Sequence, residues 1–435
     1  MSRGREAFRL ASLSLAMLLP IAALAPTRAS EIAECCADLD EKAAELESMV
    51  LRKGVSNASL QIYGQVNRAI LFWNDGFDSR SRVVDNTTSS SRLGFIGQSK
   101  IRPGLAAGYR IELEFLFPAS SEIFNPADVT HAQPLTNTAV RQAYAFVSDE
   151  RLGSLSMGYQ WSATGNLTII NLGSQMNDAA LHYNNGFSLG LSLFGGIFSD
   201  LKWGQIAHSV DTLRGNYLRY GTPLLHGFVL SASAGEKDSW DVALRYQADG
   251  RAFRFAGGIG YRDDRDTLLR EVKGAASLLH NATGLYVSLA GGLRDDALSS
   301  IIGQPPSYFY YGQAGISKNW LSFGNTTVYG DVGLYRNFNV GELLRVDPHS
   351  GQLAIWGTLA QTEVVRWGYG VEQAFDDAGL LLYAQAHHYG ASVVGFPCDP
   401  NPGQFANQCG GDPNNLVALP MRPWTGYVVG ARIRF

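Results

Sequence analysis

Charged side chains are scarce in this 435-residue chain: Asp, Glu, Lys and Arg make up 17% of it, below the roughly 25% of soluble globular proteins. Long apolar runs are scarcer still. Beyond residue 25 no stretch approaches the ~20 apolar residues a spanning helix needs, so any membrane crossing must be made by strands. There are only four cysteines. No HExxH, no phosphate loop ending in Gly-Lys-Ser/Thr and no Gly-x-Ser-x-Gly elbow occurs, which removes the common catalytic signatures. What is plentiful is glycine, 48 residues, and aromatic side chains, 11%. That mixture suits strands and turns better than helices.

Residues 1–29 are predicted to be a cleaved secretory signal. Arg3, Arg5 and Arg9 precede the apolar run LASLSLAMLLPIAALA, and Thr27 and Ala29 supply small residues before a cut. A membrane anchor is the alternative, for which the run is short. These residues carry four arginines and Glu6, a net +3, so the exported remainder bears −7 rather than −4, a poor match to nucleic acid. Residues 30–54, SEIAECCADLDEKAAELESMVLRKG, place Ile32, Cys36, Leu39, Ala43, Leu46 and Val50 at alternating spacings of four and three. That is the seam of a coiled coil, ended by Gly54. So short a helix is marginal alone. It reads as an assembly device on an oligomer, the alternative being an amphipathic helix folded onto the main domain.

From Leu60 onward the hydrophobic period is two. In GYRIELEFL, Tyr109, Ile111, Leu113 and Phe115 fall on one face and Arg110, Glu112 and Glu114 on the other. In FRFAGGIGYR, Phe253, Phe255, Ile259 and Tyr261 oppose Arg254, Ala256, Gly258, Gly260 and Arg262. Tight turns (KIRPGL, SDERLG, NNG, GTPLLHG, QADGR, HNATG, KNWLSFGN, FDDAG) alternate with long polar segments at 74–88, 117–137, 162–178, 263–271, 294–306, 337–359 and 389–424. In hydrocarbon every backbone polar group needs an internal partner, which leaves strands only the closed barrel. Short connections at one end and long ones at the other belong to outer-membrane barrels rather than sandwiches. The expected fold is all-β: a transmembrane antiparallel barrel of 16 to 18 strands over residues 58–435, wide enough for an aqueous channel and preceded by the short coiled-coil helix.

The alternation also nominates lumen residues: Arg92, Arg110, Arg141, Arg245, Arg254, Arg432 and Arg434, with Glu112, Glu114 and Asp241. On the lipid face each arginine would cost about 2–4 kcal/mol at the midplane. Any one of these charges has a structural alternative, an ion pair such as Arg110 with Glu112 or Glu114. Arg68 is out of phase, on the side of Ile62 and Val66, and marks a bulge or a subunit contact. Phe72, Trp73, Trp161, Tyr220, Trp320 and Trp424 lie near strand ends and are candidates for interfacial aromatic girdles. In GYVVGARIRF, Tyr427, Val429, Ala431, Ile433 and Phe435 face outward and Arg432 and Arg434 inward. This last strand is expected to pair with the first near residues 60–67, leaving no edge.

Several of these stretches resemble the Gram-negative trimeric porins, most of all the alphaproteobacterial, rhizobial-type branch in which an acidic CCADL coil precedes the barrel. LQIYGQVNRAILFW is similar to that family's first strand, SRLGFIGQSKI to its second, TAVRQAYAFV and GSLSMGYQ to its fourth and fifth, and YVVGARIRF to its closing strand. The resemblance spans residues 32–161 and the C-terminus by motif, and the middle by rhythm alone. It implies a homotrimer in the bacterial outer membrane, in contact with lipid and lipopolysaccharide, with the N-terminal segment in the periplasm. It further implies a water-filled channel for passive diffusion of small hydrophilic solutes and ions, without a cofactor, narrowed by a third loop folded inward. Arg92 in SRLGF and Arg141 in VRQAYAFV match positions on the basic side of that constriction. Phe435 matches the terminal aromatic that signals to the barrel-assembly machinery.

Two departures stand out. Gln65 in YGQVN replaces a lysine common in relatives, and the third loop, SATGNLTIINLGSQMND, offers only Asp178 as a carboxylate. Both weaken the field across the constriction, so weak charge selectivity is expected. The alternative functions are a substrate-specific porin, which saturable flux of one solute class would favour, and a non-conducting surface-binding barrel, which the absence of an open pore would favour.

His387 and His388 are adjacent, face opposite sides of a strand and make no metal pair; neither metal nor enzymatic activity is expected. An outer-membrane lipase would need Ser, His and a polar orienter converging in space. Cys36 reads as a small buried hydrophobe in the seam or, with Cys35, as a link between subunits. Cys398 and Cys409 flank ten residues rich in Pro, Gly and Asn in an exported chain, where a disulfide is the expected state. It would contribute roughly 2–3 kcal/mol through chain entropy. Zinc is disfavoured because the loop holds no histidine. Intact mass before and after reduction should reveal one disulfide joining Cys398 to Cys409, and two free thiols there would refute it.

Overall fold

The computed structural model describes residues 58–76, 78–123, 137–176, 188–193, 197–211, 214–235, 238–296, 304–347, 354–398 and 416–435. The signal, the coiled coil, Asp178 and Cys409 lie outside the described residues. Within them, no helix is long and apolar enough to cross a membrane.

Sixteen strands, each antiparallel to its neighbours, close into a barrel. In chain order they are Ala58–Asn74, a split strand of Ser79–Asp85 and Ser91–Arg102, Leu105–Leu116, Asn137–Asp149, Gly153–Trp161, Arg214–Gly221, Phe228–Gly235, Ser239–Asp249, Phe253–Asp264, Leu269–His280, Leu285–Asp296, Ser307–Lys318, Thr326–Arg336, Ala354–Phe375, Leu380–Pro397 and Trp424–Arg434. The count settles at the lower expected value because Gly153–Trp161 pairs directly with Arg214–Gly221, so the connection 162–213 adds no hairpin to the wall; NNG, at 184–186 within it, lies outside the described residues. The last strand pairs with the first from Gln65↔Arg434 to Asn74↔Thr425. Gly64 and Phe435 extend the seam, each donating its N–H to the other's carbonyl at 2.9 and 3.0 Å. The seam thus runs from Gly64 to Asn74, higher than residues 60–67, while Ala58–Gln65 pairs with Arg92–Ser99.

Hairpin chemistry is local. Gly104 and Gly284, both at φ 76°, occupy left-handed turn positions at one end of the barrel that side-chain-bearing residues adopt at a cost. The opposite end carries the longer connections, although 236–238 and 265–268 are tight there as well. Alternation then sorts the side chains. Ile70, Tyr109, Leu244, Ile259, Leu289, Val332 and Val429 point outward and are 40% exposed or more, whereas Gln65, Glu112, Lys273, Arg366 and Arg432 are 5% exposed or less. This is inside-out relative to a soluble fold and suits a wall between hydrocarbon and a polar lumen.

The aromatic girdle divides. Phe72, Tyr220 and Trp320 are exposed on the outer surface, but Trp73, Trp161 and Trp424 are buried. Nearness to a strand end does not decide the face; Trp73 shares the inward parity of Ala69 and Leu71.

Arg68 marks a break in the wall. Between its two pieces the second strand leaves the sheet at Asn86–Ser90, where the Asn86 side chain caps a short turn by accepting from Thr88 N. Arg68 stands on the outer face at this gap, donating to the Phe117 carbonyl and lying 3.8 Å from Asp85 Oδ2. The segment after Phe117 fills in as a substitute strand: Asp85 N donates to Pro118 O at 2.7 Å and Ser120 N to Asp85 O at 2.9 Å.

Candidate functional site

Residues 162–176, the described first part of the connection 162–213, turn into the lumen, and the inner wall is built to receive them. Asp241 accepts from Ala163 N at 3.2 Å, Thr164 N at 2.8 Å and Thr164 Oγ1 at 2.6 Å, while Arg245 donates to Ala163 O at 2.8 Å and Gly165 O at 2.7 Å. Further along, Ser277 Oγ accepts from Leu172 N at 3.0 Å and Thr327 Oγ1 donates to Gly173 O at 3.2 Å. Glu372 takes the tip, accepting from Ser174 Oγ at 2.6 Å, Gln175 N at 2.8 Å and Met176 N at 3.0 Å. Arg432 donates to Gln175 Oε1 at 2.9 Å. The loop is thus pinned across strands from Ser239–Asp249 to Trp424–Arg434.

Packing follows the same track. Ala163, Leu167 and Ile170 bury against Ala243, Ala256 and Ala275. A Cβ on Gly260 would lie 2.6 Å from both Leu167 Cδ1 and Thr164 Cγ2, and one on Gly258 would lie 2.6 Å from Leu167 Cδ2. The glycines of FRFAGGIGYR are therefore a socket for the loop, since a void or a clash in such a contact costs stability.

Another wall carries the charges. Glu112 is fully buried, with Arg141 Nε at 2.6 Å, Arg110 Nη2 at 3.3 Å and Arg92 Nη1 at 3.8 Å. The Tyr63 hydroxyl donates to it at 2.7 Å and receives Arg110 Nε at 2.8 Å. Glu114 pairs with Arg141 at 3.2 Å and Arg214 at 3.7 Å and accepts from Ser90 Oγ. Arg214 also stacks 4.6 Å from the Trp161 ring centroid. Gln65 donates to Ser89 O and Ser90 O, each at 2.8 Å, and so braces the strand excursion. Arg92 Nη2 reaches Ser89 Oγ at 2.9 Å.

Of the expected site residues, Arg92, Arg110, Arg141, Glu112 and Glu114 come together in one cluster with Gln65 beside it. Asp241, Arg245 and Arg432 are lumenal as expected, yet they hold the third loop. Arg254 pairs with Asp249 at 2.9 Å beside a tight turn. Arg141 sits at an irregularity. Glu112 faces Gln142 and Leu113 faces Val140, so Arg141 is the extra residue of a bulge. Alternation read from outward-facing Val140, 49% exposed, sends Arg141 inward as expected, whereas counting back from Val147, 45% exposed, sends it outward; the bulge reconciles the two phases. Arg214 and Glu372 escaped the sequence reading, and for Glu372 the available signal was a carboxylate on the inward parity of GYGVEQ.

Beyond the tip, the distal limb of the same connection crosses the long-loop end. Its strands Gly190–Leu193 and Ile197–Lys202 form a hairpin that pairs with Leu343–Asp347 through Ser199↔Val346. Asp200 bridges Arg345 at 3.2 Å, and Arg422 N donates to Ser192 O at 2.7 Å. Beneath it, Leu191, Leu201, Trp203 and Ile206 join the inner-wall residues Leu71, Trp73, Tyr389, Val393, Trp424 and Val428 in one apolar cluster. Lys273 Nζ donates to Val210 O at 2.6 Å where the limb returns to the wall.

Residues 19–390 match the family model described as Gram-negative porin. Among solved structures the chain is similar to in-vitro folded OmpT, an outer membrane protein of Vibrio cholerae, at 12% identity and a TM-score of 0.52, covering 89% of this chain and 100% of that one. Its outer-membrane-expressed form gives 13% identity and 0.50 over the same shares. The anion-selective porin from Comamonas acidovorans gives 14% identity and 0.49, over 87% and 100%. At these identities the likeness is one of fold. No curated protein matches the sequence.

The anchoring of the loop tip yields a direct test. A hydrogen bond contributes roughly 0.5–1.5 kcal/mol net, and Glu372 accepts three. Glu372→Ala should release the tip, lowering barrel stability by about 3 kcal/mol in chemical unfolding and raising open-channel current noise.

Proposed function

The chain belongs to the Gram-negative porin family, and from its lumen we infer a water-filled outer-membrane channel through which small hydrophilic solutes and ions diffuse passively. The observation that carries this reading is the charged wall of Arg92, Arg110, Arg141 and Arg214 with Glu112 and Glu114, on the inner surface of a closed barrel into which the third loop folds. A closed barrel with a polar, water-filled interior lets small hydrophilic solutes diffuse through, and charges at its narrowing bias which ions enter. Among the described residues this wall carries four arginines and two glutamates, which favours anions modestly.

The finer features belong to the same reading. A homotrimer of the rhizobial-type branch is supported by the CCADL coil, with residues 1–29 removed and 30–54 in the periplasm. Contact with lipopolysaccharide accords with the exposed apolar belt. A Cys398–Cys409 bridge is supported by the disulfide-bonded state of Cys398. The terminal Phe435, 56% exposed on the outer face, suits recognition by the assembly machinery, and no catalytic role is assigned.

In planar bilayers the purified protein should show stable open steps closing in threes, and Arg141→Ala or Arg92→Ala should move the reversal potential towards cations. Absence of conductance overturns the channel. Deletion of Phe435 should reduce the amount assembled in the outer membrane while leaving the conductance of what does assemble unchanged; full assembly without it removes the assembly role.

A further inference from the structure

We propose that the distal limb of the third loop, from Ser188 to Asp211, is a roof over half of the mouth at the long-loop end, and that it makes the channel a one-sided sieve: the largest solute admitted from that end is smaller than the largest admitted from the other. The inference rests on the channel reading and adds to it a second filter, made of apolar packing and set above the constriction. The limb reaches across the mouth. At its start Ser188 N donates to Ser121 O at 2.8 Å, just past the third strand, and near its end Val210 O accepts from Lys273 Nζ at 2.6 Å on the tenth. In a ring of sixteen those strands stand seven places apart, one short of opposite.

Between those points strand pairing fastens the limb. The Ser192 hydroxyl donates to Asp75 O at 2.9 Å, Leu193 bridges to Met421, and Phe198 and Ser199 pair with Asp347 and Val346. Leu343–Asp347 pairs in turn with Ala354–Phe375, that strand with Leu380–Pro397, and the latter with Val417–Leu419. The limb is thereby one side of a second, smaller ring of strands, closed by the Leu193–Met421 bridge and standing on the rim of the first. Its interior is dry. Leu191 and Ile206 are fully buried, Trp203 packs 6.0 Å from the Tyr389 ring, and only Gln205 is exposed among the limb's described residues. Apolar side chains packed at such density leave no path for a hydrated solute, so passage is confined to the other half of the mouth, towards the strands that carry Arg141 and Arg214. At the opposite end the connections between barrel strands run from two to seven residues, too short to build a second ring.

The experiment is polymer-exclusion sizing in planar bilayers, with conductance recorded while polyethylene glycols of increasing mass are added to one side or the other. The wild-type channel should exclude smaller polymers from one side than from the other. Two variants should remove that difference by raising the lower cutoff: Leu201→Ser combined with Trp203→Ala, and replacement of Gly190–Lys202 by a short Gly-Ser link. Their reversal potential in a KCl gradient should stay at the wild-type value, because the arginine wall is untouched. The double substitution carries the comparison if the replacement fails to assemble. Equal cutoffs in the wild type overturn the proposal, as does a difference that both variants retain. A reversal potential that moves with the cutoff overturns it too, by assigning the limb's effect to the constriction. A wild-type barrel that does not conduct instead removes the channel reading itself.

Discussion

Everything in this molecule depends on the pairing of backbone polar groups where there is no water to satisfy them. A strand edge in hydrocarbon leaves a row of unpaired N–H and C=O groups, so the sheet must meet itself, and it does so where Gly64 and Phe435 exchange both of their bonds. Departures are repaired locally. Where Asn86–Ser90 leaves the wall, Asp85 N finds Pro118 O, and Ser91 N finds the Asp85 carboxylate at 3.0 Å. Closure also fixes parity, and parity decides which side chains meet lipid and which meet the lumen.

Inside, charge is used in two ways. Asp241, Arg245, Glu372 and Arg432 spend theirs on the main chain and side chains of one loop, converting a flexible connection into part of the wall. The arginine and glutamate cluster faces its own members. An uncompensated buried charge costs several kcal/mol, and both arrangements avoid that, the first by backbone dipoles and the second by opposite charges a few ångströms away. The same residue types at similar depth thus do mechanical work on one side and electrostatic work on the other.

Much of the fold was legible in the sequence, because a wall one residue thick writes its two environments into successive positions. GYRIELEFL shows both faces within nine residues, and the lumenal placement of Arg110, Glu112 and Glu114 follows from it. The reading weakens where alternation slips. The phase changes at Arg141 because of a bulge that only its pairing partners reveal. NNG has the chemistry of a turn, but composition does not say whether the flanking residues join the barrel. Trp73 and Trp424 look like girdle residues until the distal limb of the third loop is seen to cover the inner surface they line. Asp241 and Arg245 are recognisable as inward-facing charges, yet their partners are backbone atoms of residues 163–165, some seventy-five positions or more away, and nothing in a linear pattern announces such a partner.

The apolar cluster beneath the distal limb implies an order of events during biogenesis. Its members come from the first strand, at Leu71 and Trp73, from the last, at Trp424 and Val428, and from the limb itself, at Leu191 and Trp203. No subset local in sequence forms it, and contacts between distant chain segments wait on the loop closures that precede them. The cylinder must therefore be complete before its mouth can be dressed. The distal limb of the third loop thus gains its full apolar surroundings only when the first and last strands have met, so that closing the shell also completes its interior.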